Sequence, residues 1–393
     1  MEWNYENVID LWDYRREDKK EIKKKGRIIN ILGSISGVII AFIWVSNQRL
    51  SSGLIAIIMI TSILIFCFIH VIIHETGHLI GGLLSGYRFI SFRIFSFTFV
   101  KYKDRYKLKI DKIKGTGGQC IMLPPDNIEF SQCPYYLYNI GGILFDMLIT
   151  IFVLIIALTL CNHPIISDLL LTYVVLGVHL SIINYIPLPK QISSNDGNNI
   201  RAIRHNKSLR QSFLQQLIIY HALLDGKDFH EFTKSELEIP KETDISESLN
   251  SFFLSVQYMQ CLKTKNFKGA YELLPLLEHE YECMSKRMRL MIDVERLFLL
   301  LIHGADIRGV KTHYKNIKKE MNKNKSLPVL RTLYAYERMI HKDDKKAIQL
   351  RKRTLIMTHF IPIPQEVQLN IELMDWFDTE FIIQNSMKSN GGS

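Results

Sequence analysis

Residues 53–84 read GLIAIIMITSILIFCFIHVIIHETGHLIGGLL. No charged side chain precedes Glu75 in this stretch, and the apolar run is longer than the roughly 20 helical residues that cross a hydrocarbon core of about 30 Å. The stretch therefore predicts a transmembrane helix that carries a His-Glu-Thr-Gly-His pattern near its end. Gly86 follows shortly and is suited to ending the helix, because glycine readily adopts the left-handed conformation of a C-terminal cap.

Three further apolar segments are long enough to span a membrane, at residues 29–46, 136–160 and 165–187. The chain after about residue 200 is charged and lacks such runs, which keeps the mean hydropathy of the whole protein at only +0.05. The sequence thus predicts a mainly α-helical membrane protein with about four transmembrane helices, followed by a soluble half.

Lysine and arginine flank the predicted spans unevenly. They are frequent before residue 28 and throughout 86–134, whereas the loop after the first span carries only Arg49 and the loop at 161–164 carries none. Basic loops stay on the cytosolic side, so we expect a multi-pass protein of the cell membrane with both termini in the cytosol. This distribution accounts for the formal net charge of +10 without a nucleic-acid partner. The Ile- and Lys-rich, Ala-poor composition is typical of an AT-rich bacterial source.

The chain is predicted to consist of a cytosolic N-terminal segment (1–27), a membrane domain (28–200) and a cytosolic domain (201–393). Within the membrane domain, residues 87–123 alternate between apolar and polar. This alternation predicts two or three β-strands of a small membrane-associated sheet, with a turn near Lys103-Asp104.

The C-terminal domain returns to the 3.6-residue period of helices. Helices of similar length joined by short turns indicate stacked helical hairpins, and residues 266–271 resemble the second helix of a tetratricopeptide repeat. The tail 390–393 is expected to be disordered. The predicted helices cover 198–223, 245–262, 267–281, 285–303, 308–321, 326–340, 344–356 and 364–381.

His74 and His78 lie on the same face of the predicted helix, because residues four apart are one turn apart. Two imidazoles at that spacing can bind one tetrahedral zinc ion, and Glu75 then lies where it can take a proton from a water molecule. The pattern fixes only three positions and also arises by chance. At membrane depth, however, two histidines and a glutamate are costly unless they serve a site, so we interpret the motif as functional.

A third zinc ligand is expected near the end of the fourth span. His74 is about 21 residues into its span and Asn184 about 19, so at about 1.5 Å per residue both reach a similar depth near the cytosolic rim. Asp196 follows after an irregular stretch that can fold back to this level. The alternative interpretation of Asp196 is a helix N-cap. Alternative carboxylate ligands in the soluble half are Glu231, Glu236 and Glu238.

The other histidines and the cysteines are not expected to bind this metal. His70 and His78 are about 12 Å apart along the helix, too far to share one zinc ion, so His70 is expected to support the site or to pack against a neighbouring helix. No role for His179 follows from the sequence. None of the six cysteines forms a Cys-x-x-Cys pair, which favours reduced thiols over zinc ligands or disulfides.

The motifs of the membrane half together resemble the site-2 protease family of intramembrane zinc metalloproteases. These motifs are His74-Glu75-x-x-His78, Asn184-x-x-Pro187 and Asp196-Gly197. The resemblance covers about residues 30–200, with a longer gap between Pro187 and Asp196 than the family has. It implies that His74, His78 and Asp196 bind Zn²⁺ and that Glu75 is the general base.

Three weaker matches complete the resemblance. Residues Gly117, Gly118, Gln119 and Cys120 resemble a glycine-started strand that pairs with unwound substrate, although they also fit a plain turn. Gly141-Gly142 with Asp146 resembles a Gly-x-x-x-Asn pattern, and small residues there also suit helix packing. Asn184 is placed either as a catalytic residue that polarises the scissile carbonyl or as a partner for backbone groups freed by Pro187.

The resemblance implies a metalloendopeptidase that hydrolyses membrane-spanning or membrane-tethered substrates near the cytosolic face. Such activity serves regulated intramembrane proteolysis or the processing of small peptides. The expected partners are a single-span membrane protein or hydrophobic peptide, the lipid bilayer, and a regulatory protein or peptide on the helical domain. The alternative is a non-catalytic membrane receptor or adaptor with structural zinc and a peptide-binding helical domain; an intact Glu75 argues against it, because structural zinc needs no general base.

Overall fold

A computed structural model describes most of the chain. The described residues are 16–45, 51–102, 105–110, 117–126, 129–130, 132–160, 162–187, 195–240, 248–278, 286–303 and 307–381. The predictions for residues 1–15, for the turn at Lys103-Asp104 and for the tail 390–393 fall outside these ranges.

Four helices are long and apolar enough to cross a membrane, as predicted. They are α1 (Arg16–Val45, apolar from Arg27), α2 (Ser52–Leu84), α3 (Tyr136–Thr159) and α4 (Pro164–Tyr185). Large apolar side chains such as Phe42, Val45 and Leu158 point outward and are more than 70% exposed, whereas the polar side chains of Thr150 and Thr172 are buried between helices. This distribution suits a lipid surround.

Glycines allow α2 and α3 to approach each other closely. A Cβ atom at Gly77 would collide with the carbonyl oxygen of Gly141, and one at Gly81 would collide with the carbonyl oxygen of Leu137. Small residues at such crossings let helix backbones touch inside membranes. The close crossing brings the end of α2, with its histidines, against the first turns of α3.

A small antiparallel sheet follows α2. It has four strands, β1 (Arg88–Ile94), β2 (Phe97–Tyr102), β3 (Arg105–Ile110) and β4 (Gly118–Leu123), in the order β3-β2-β1-β4. The prediction of two or three strands was therefore too low. Between β1 and β2, Phe95 adopts the left-handed backbone conformation (φ 49°), which ends β1 and lets β2 begin. β4 pairs with β1, from Ile94 opposite Gly118 to Arg88 opposite Leu123, and lies at the edge of the sheet.

The chain forms two compact units, Met1–Phe95 with Ile113–Arg210, and Ser96–Lys112 with Gln211–Ser393. The first contains the four long helices and α5 (Asp196–His205). The second contains a run of further helices. They are α6 (Lys207–Asp225, which begins in the first unit), α7 (Ser248–Lys263), α8 (Phe267–Glu278), α9 (Lys286–Ile302), α10 (Ile307–Met321), α11 (Leu327–Tyr336), α12 (Asp344–Ile356) and α13 (Pro364–Trp376).

The helices after residue 195 follow the prediction, with one exception. The predicted helix 198–223 is two helices, because Asn206 interrupts it and its side chain caps α6 by accepting a hydrogen bond from the Leu209 amide (3.0 Å). The second unit is held by a buried polar group in which Arg331 pairs with Glu295 and donates to Asn370 (3.2 Å). The tetratricopeptide-like arrangement stays a prediction.

Candidate metal centre

His74, His78 and Asp196 meet at one point in the first unit. The Nε2 atom of His74 lies 2.9 Å from Asp196 Oδ2, the Nε2 atom of His78 lies 3.3 Å from the same oxygen, and the two Nε2 atoms are 3.2 Å apart. Three ligand atoms of the kinds that metals prefer thus converge. The His74 and Asp196 side chains are 12% and 18% exposed, so the cluster is shielded but reachable.

The spacing of these three atoms fits zinc. Zinc bonds to imidazole nitrogen and carboxylate oxygen are about 2.0–2.1 Å long, so the donor atoms of a tetrahedral site are about 3.3 Å apart. Burial by itself raises the pKa of the Asp196 carboxyl. The positive charges of His78 and His74, together with the hydrogen bonds that these side chains donate, outweigh burial and hold that pKa below its ordinary value. The ionised carboxylate, which binds cations, is therefore the favoured form.

Asn195 fixes Asp196 at the end of α4. Pro187 has no amide hydrogen, so the carbonyl of Ile183 lacks its usual helical partner. The Asn195 side-chain amide donates to this carbonyl and to that of Ile186, both at 2.8 Å. Its side-chain oxygen accepts from the Asn198 amide (3.1 Å) and so caps α5. The N-cap is therefore Asn195 and not Asp196, whose side chain faces the histidines instead.

Gly197 completes this connection. A Cβ atom at residue 197 would collide with the carbonyl oxygen of Tyr185, so only glycine lets α5 begin directly against the end of α4. Asn184 lies on the same last turn of α4 and is half-buried. Its side chain makes no hydrogen bond within the described ranges, and the backbone groups freed by Pro187 are satisfied by Asn195 instead.

The two imidazoles are oriented differently. His78 Nδ1 donates to the carbonyl of Tyr138 on α3 (2.8 Å), so a metal ion, when bound, would replace the Nε2 proton that otherwise faces Asp196. Among the residues that the structure describes, the buried Nδ1 of His74 has no partner. Helix α3 thus supports one ligand directly.

Glu75 is buried beside the first residue of β4. Its side chain is 7% exposed, and a Cβ atom at Gly118 would lie 2.5 Å from Glu75 Oε1. The glycine is therefore required for the backbone of β4 to reach this carboxylate. Gly117, which precedes β4, lies next to Val71, and Val71 is on α2 like Glu75. The start of β4 therefore runs along α2, one turn before His74.

The remaining residues of the predicted substrate strand differ in environment. Gln119 is exposed and Cys120 is buried. Burial raises the pKa of the Cys120 thiol, and the nearby Glu75 charge adds to this, so the thiol stays protonated. The backbone carbonyl of Cys120 accepts a hydrogen bond from the Tyr138 hydroxyl (2.8 Å). Tyr138 therefore joins the edge strand to His78.

Arg93 is a functional candidate that the sequence does not single out, because it is one of many basic residues within 86–134. It is 3% exposed, and its guanidinium donates to the carbonyls of Phe95 (3.0 Å) and Gly118 (3.3 Å). It therefore holds a positive charge at the point where β4 meets Glu75. Nothing in the local sequence indicates this burial, because Arg93 alternates with Phe92 and Ile94 in a strand that also carries exposed positions.

His70 belongs to a second buried polar group and not to the metal cluster. Its Nδ1 lies 2.7 Å from Asp146 Oδ1, its Nε2 lies 3.0 Å from the Tyr173 carbonyl, and Ser181 donates to Asp146 Oδ2 (3.1 Å). This confirms the expectation that His70 packs against neighbouring helices. The same contacts give Asp146 a structural role, because its side chain on α3 links His70 on α2 to Ser181 on α4. His179 contacts Ser36 on α1 (3.0 Å).

Two of the alternative carboxylates of the C-terminal half make local hydrogen bonds. Glu231 accepts from the Asp228 amide (2.9 Å), and Glu236 accepts from Lys227 Nζ (2.6 Å). Within the described ranges, the cluster that could hold a metal ion contains Asp196 and none of Glu231, Glu236 and Glu238. Comparisons with protein-family models, with curated proteins and with solved structures found no match. Function must therefore be inferred from the site itself.

Gly142→Ala is predicted to weaken zinc binding without unfolding the helices. A Cβ atom at this position would lie 2.5 Å from His78 Nε2 and 2.8 Å from His74 Nε2, so α3 would have to shift away from the ligands. We expect zinc affinity to fall at least about tenfold, as when a supporting contact of a metal ligand is lost. The zinc content of the purified protein measures this.

Gly37→Ala is the matched control, because a Cβ atom at that position on α1 has nothing within 4 Å. It should bind zinc as the wild type does. Equal zinc content in both variants would contradict the close approach of α3 to the ligand atoms.

Proposed function

We propose that this protein is an intramembrane zinc metalloprotease of the site-2 protease type. The observation that carries the proposal is the convergence of three donor atoms, from His74, His78 and Asp196, beside a buried glutamate and the edge of a β-strand. A purely structural zinc site needs neither a buried carboxylate next to its ligands nor a strand at the edge of a sheet beside it. Zn²⁺ is the proposed cofactor, since imidazole and carboxylate donors at this spacing suit it.

In the proposed chemistry, Glu75 acts as the proton carrier. Zinc, when bound, supplies the Lewis acidity that makes a water molecule acidic near neutral pH and polarises the scissile carbonyl. Glu75 takes the proton of the attacking water and passes it to the nitrogen of the departing peptide. Asn184, whose side chain makes no hydrogen bond among the described residues, is proposed to donate to the scissile carbonyl oxygen.

The edge of β4 is proposed to hold the substrate in extended form. A membrane-spanning helix must unwind before its peptide bonds can be attacked, and its freed amides and carbonyls are costly in lipid. Pairing with an edge strand would replace the lost hydrogen bonds. Gly118 lies at the end of that edge nearest Glu75, which supports a path for the substrate along Gly117, Gly118, Gln119 and Cys120 towards the metal centre.

The setting of the reaction is also a proposal. The positive-inside distribution of lysine and arginine supports a site at the cytosolic rim, with both termini in the cytosol. Substrates would be single-span membrane proteins or hydrophobic peptides. The helices of the second unit would select the substrate or bind a regulatory protein or peptide, since stacked helical hairpins offer concave binding surfaces.

Removal of the metal should stop peptide-bond cleavage. The protein is reconstituted in vesicles with membrane proteins of its host, and newly formed peptide termini are counted by mass spectrometry. We expect 1,10-phenanthroline to abolish these termini and added zinc to restore them, while the non-chelating 1,7-isomer has no effect. Cleavage that persists at full rate with the chelator would contradict the proposal. The absence of any zinc-dependent terminus would favour the receptor or adaptor alternative.

A further inference from the structure

An open pocket of about 830 Å³ lies at the end of α2 and the beginning of α3. Its walls come from the last residues of α2, from the segment that precedes α3 and from the junction of α5 and α6. Two arginines, Arg204 and Arg210, line it together with Tyr135 and Tyr136. Basic and aromatic side chains thus share one pocket, and the first unit contains all of it.

Arg210 is held in place by neighbouring groups. Its guanidinium lies 4.2 Å from the centre of the Tyr135 ring, and its Nη2 is 3.3 Å from the Tyr135 hydroxyl. The carbonyl of Ile203 accepts from its Nε (3.4 Å). Arg204 lies in the last turn of α5 and is exposed. No acidic residue lines the pocket, so the described part of its wall carries positive charge.

The pocket lies where two candidate membrane-spanning helices end, which is where an apolar layer would give way to lipid headgroups. Two of its lining residues, Leu84 and Tyr136, terminate spanning helices and are 74% and 48% exposed, and the adjacent Leu83 is 54% exposed. Tyrosine and arginine at such a boundary are the side chains that contact lipid headgroups. In a bilayer, acyl chains would cover the leucines, and the headgroup of the same lipid would reach the arginines.

From this arrangement we infer that the pocket binds the phosphate headgroup of an anionic phospholipid, with Arg204 and Arg210 as the phosphate ligands. Arginine suits this role because its planar guanidinium can make paired hydrogen bonds to phosphate oxygens. The site lies close to the metal centre along the chain: Leu137 of the pocket precedes Tyr138, which supports His78, and α5 carries Asp196 at its start and Arg204 near its end. A bound headgroup would therefore steady the two elements that hold the ligands.

Lipid binding to the purified full-length protein tests this inference without any measurement of cleavage. The protein in a neutral detergent is titrated with phosphatidylglycerol or with phosphatidylcholine of the same acyl chains, and bound lipid is counted by native mass spectrometry. We expect the wild type to prefer phosphatidylglycerol, and the double variant R204Q/R210Q to lose at least about tenfold in its affinity, since each basic residue near a membrane surface contributes to anionic-lipid binding.

The matched control is R201Q/K207Q, which removes the same charge from exposed positions of α5 and α6 outside the pocket. It should bind phosphatidylglycerol as the wild type does, and R204K/R210K should retain the preference.

If R204Q/R210Q does not fold, R204Q alone replaces it, because Arg204 makes no hydrogen bond or ion pair among the described residues. R204Q should lose less affinity for phosphatidylglycerol than is expected of the double variant.

Three results would overturn the inference. The first is a wild type without a preference for phosphatidylglycerol, and the second is wild-type affinity for this lipid in R204Q/R210Q, or in R204Q where that variant replaces it. The third is a loss of affinity in the R201Q/K207Q control as large as that in R204Q/R210Q. Glycerol 3-phosphate serves as the probe for a soluble phosphate ligand and should displace the lipid only weakly, since it lacks the acyl chains that would cover Leu83 and Leu84. Binding of glycerol 3-phosphate as tight as that of the lipid would assign the pocket to a soluble phosphate instead.

Discussion

Glu75→Gln is expected to abolish peptide-bond cleavage while the protein keeps its zinc. Glutamine has nearly the same shape as glutamate but cannot accept a proton, so the variant loses the proposed base and little else. General acid–base groups contribute about 10²- to 10⁴-fold to enzyme rates, and we expect a loss in this range. Zinc should remain because Glu75 is not one of the three converging donors. Counting new peptide termini and zinc atoms on the same preparation measures both effects.

Thr76→Ser is the control for Glu75→Gln. Thr76 lies inside the same motif, but its hydroxyl donates to the Ile72 carbonyl of its own helix (2.7 Å) and takes no part in the metal cluster. The control should cleave and bind zinc normally. Full activity of Glu75→Gln would contradict the assigned role, and loss of zinc from it would place Glu75 among the ligands. An inactive Glu75→Gln protein should also retain bound substrate, which mass spectrometry can then identify.

Asp196→Asn is expected to cause the second large effect, a fall in zinc affinity of more than about 100-fold. Loss of a group that merely supports a metal ligand lowers metal affinity about 10- to 100-fold. Asp196 is itself proposed as a ligand, so its loss should have a larger effect. Asparagine keeps the shape of the residue but removes the charge that faces His74 and His78. The hydrogen bonds of Asn195 to the end of α4 do not involve the Asp196 side chain, so the connection between α4 and α5 should persist.

Asp225→Asn is the control for this variant. Asp225 is 41% exposed at its side chain and lies 3.5 Å from His221, so it is another carboxylate beside a histidine but outside the cluster. We expect it to leave zinc content unchanged. Unchanged zinc content in Asp196→Asn would refute ligation by Asp196, and equal loss in both variants would indicate a general effect of removing a carboxylate.

Much of the fold could be predicted because its physical causes are local. The uninterrupted apolar run before His74 specifies a spanning helix, and the observed α2 (Ser52–Leu84) begins within one residue of the predicted start. The histidines four residues apart must share a helical face. Depth along two spans predicted that His74 and the end of α4 lie at a similar level, because helices advance about equally per residue. Asp196, which follows that end, lies beside the histidines in the structure.

The supporting groups could not be predicted because they depend on contacts between distant segments. Tyr138 reads as one more aromatic residue in an apolar span, and its hydrogen bonds with His78 and Cys120 exist only once α3 lies between β4 and α2. Arg93 is buried by the fold of the sheet, and its sequence neighbours do not indicate this. For Asn195 a signal existed: Pro187 deprives one carbonyl of its partner, and an asparagine three residues before Asn198 is a common helix cap. Only the structure shows that the same side chain, that of Asn195, both donates to the freed carbonyl and caps α5.

X-ray absorption at the zinc edge of the purified wild-type protein tests the central claim most directly. The predicted spectrum shows zinc with nitrogen and oxygen ligands at about 2.0–2.1 Å, including the scattering pattern of two imidazoles. Sulfur ligands at about 2.3 Å, or a zinc-free protein that still cleaves peptide bonds, would contradict it.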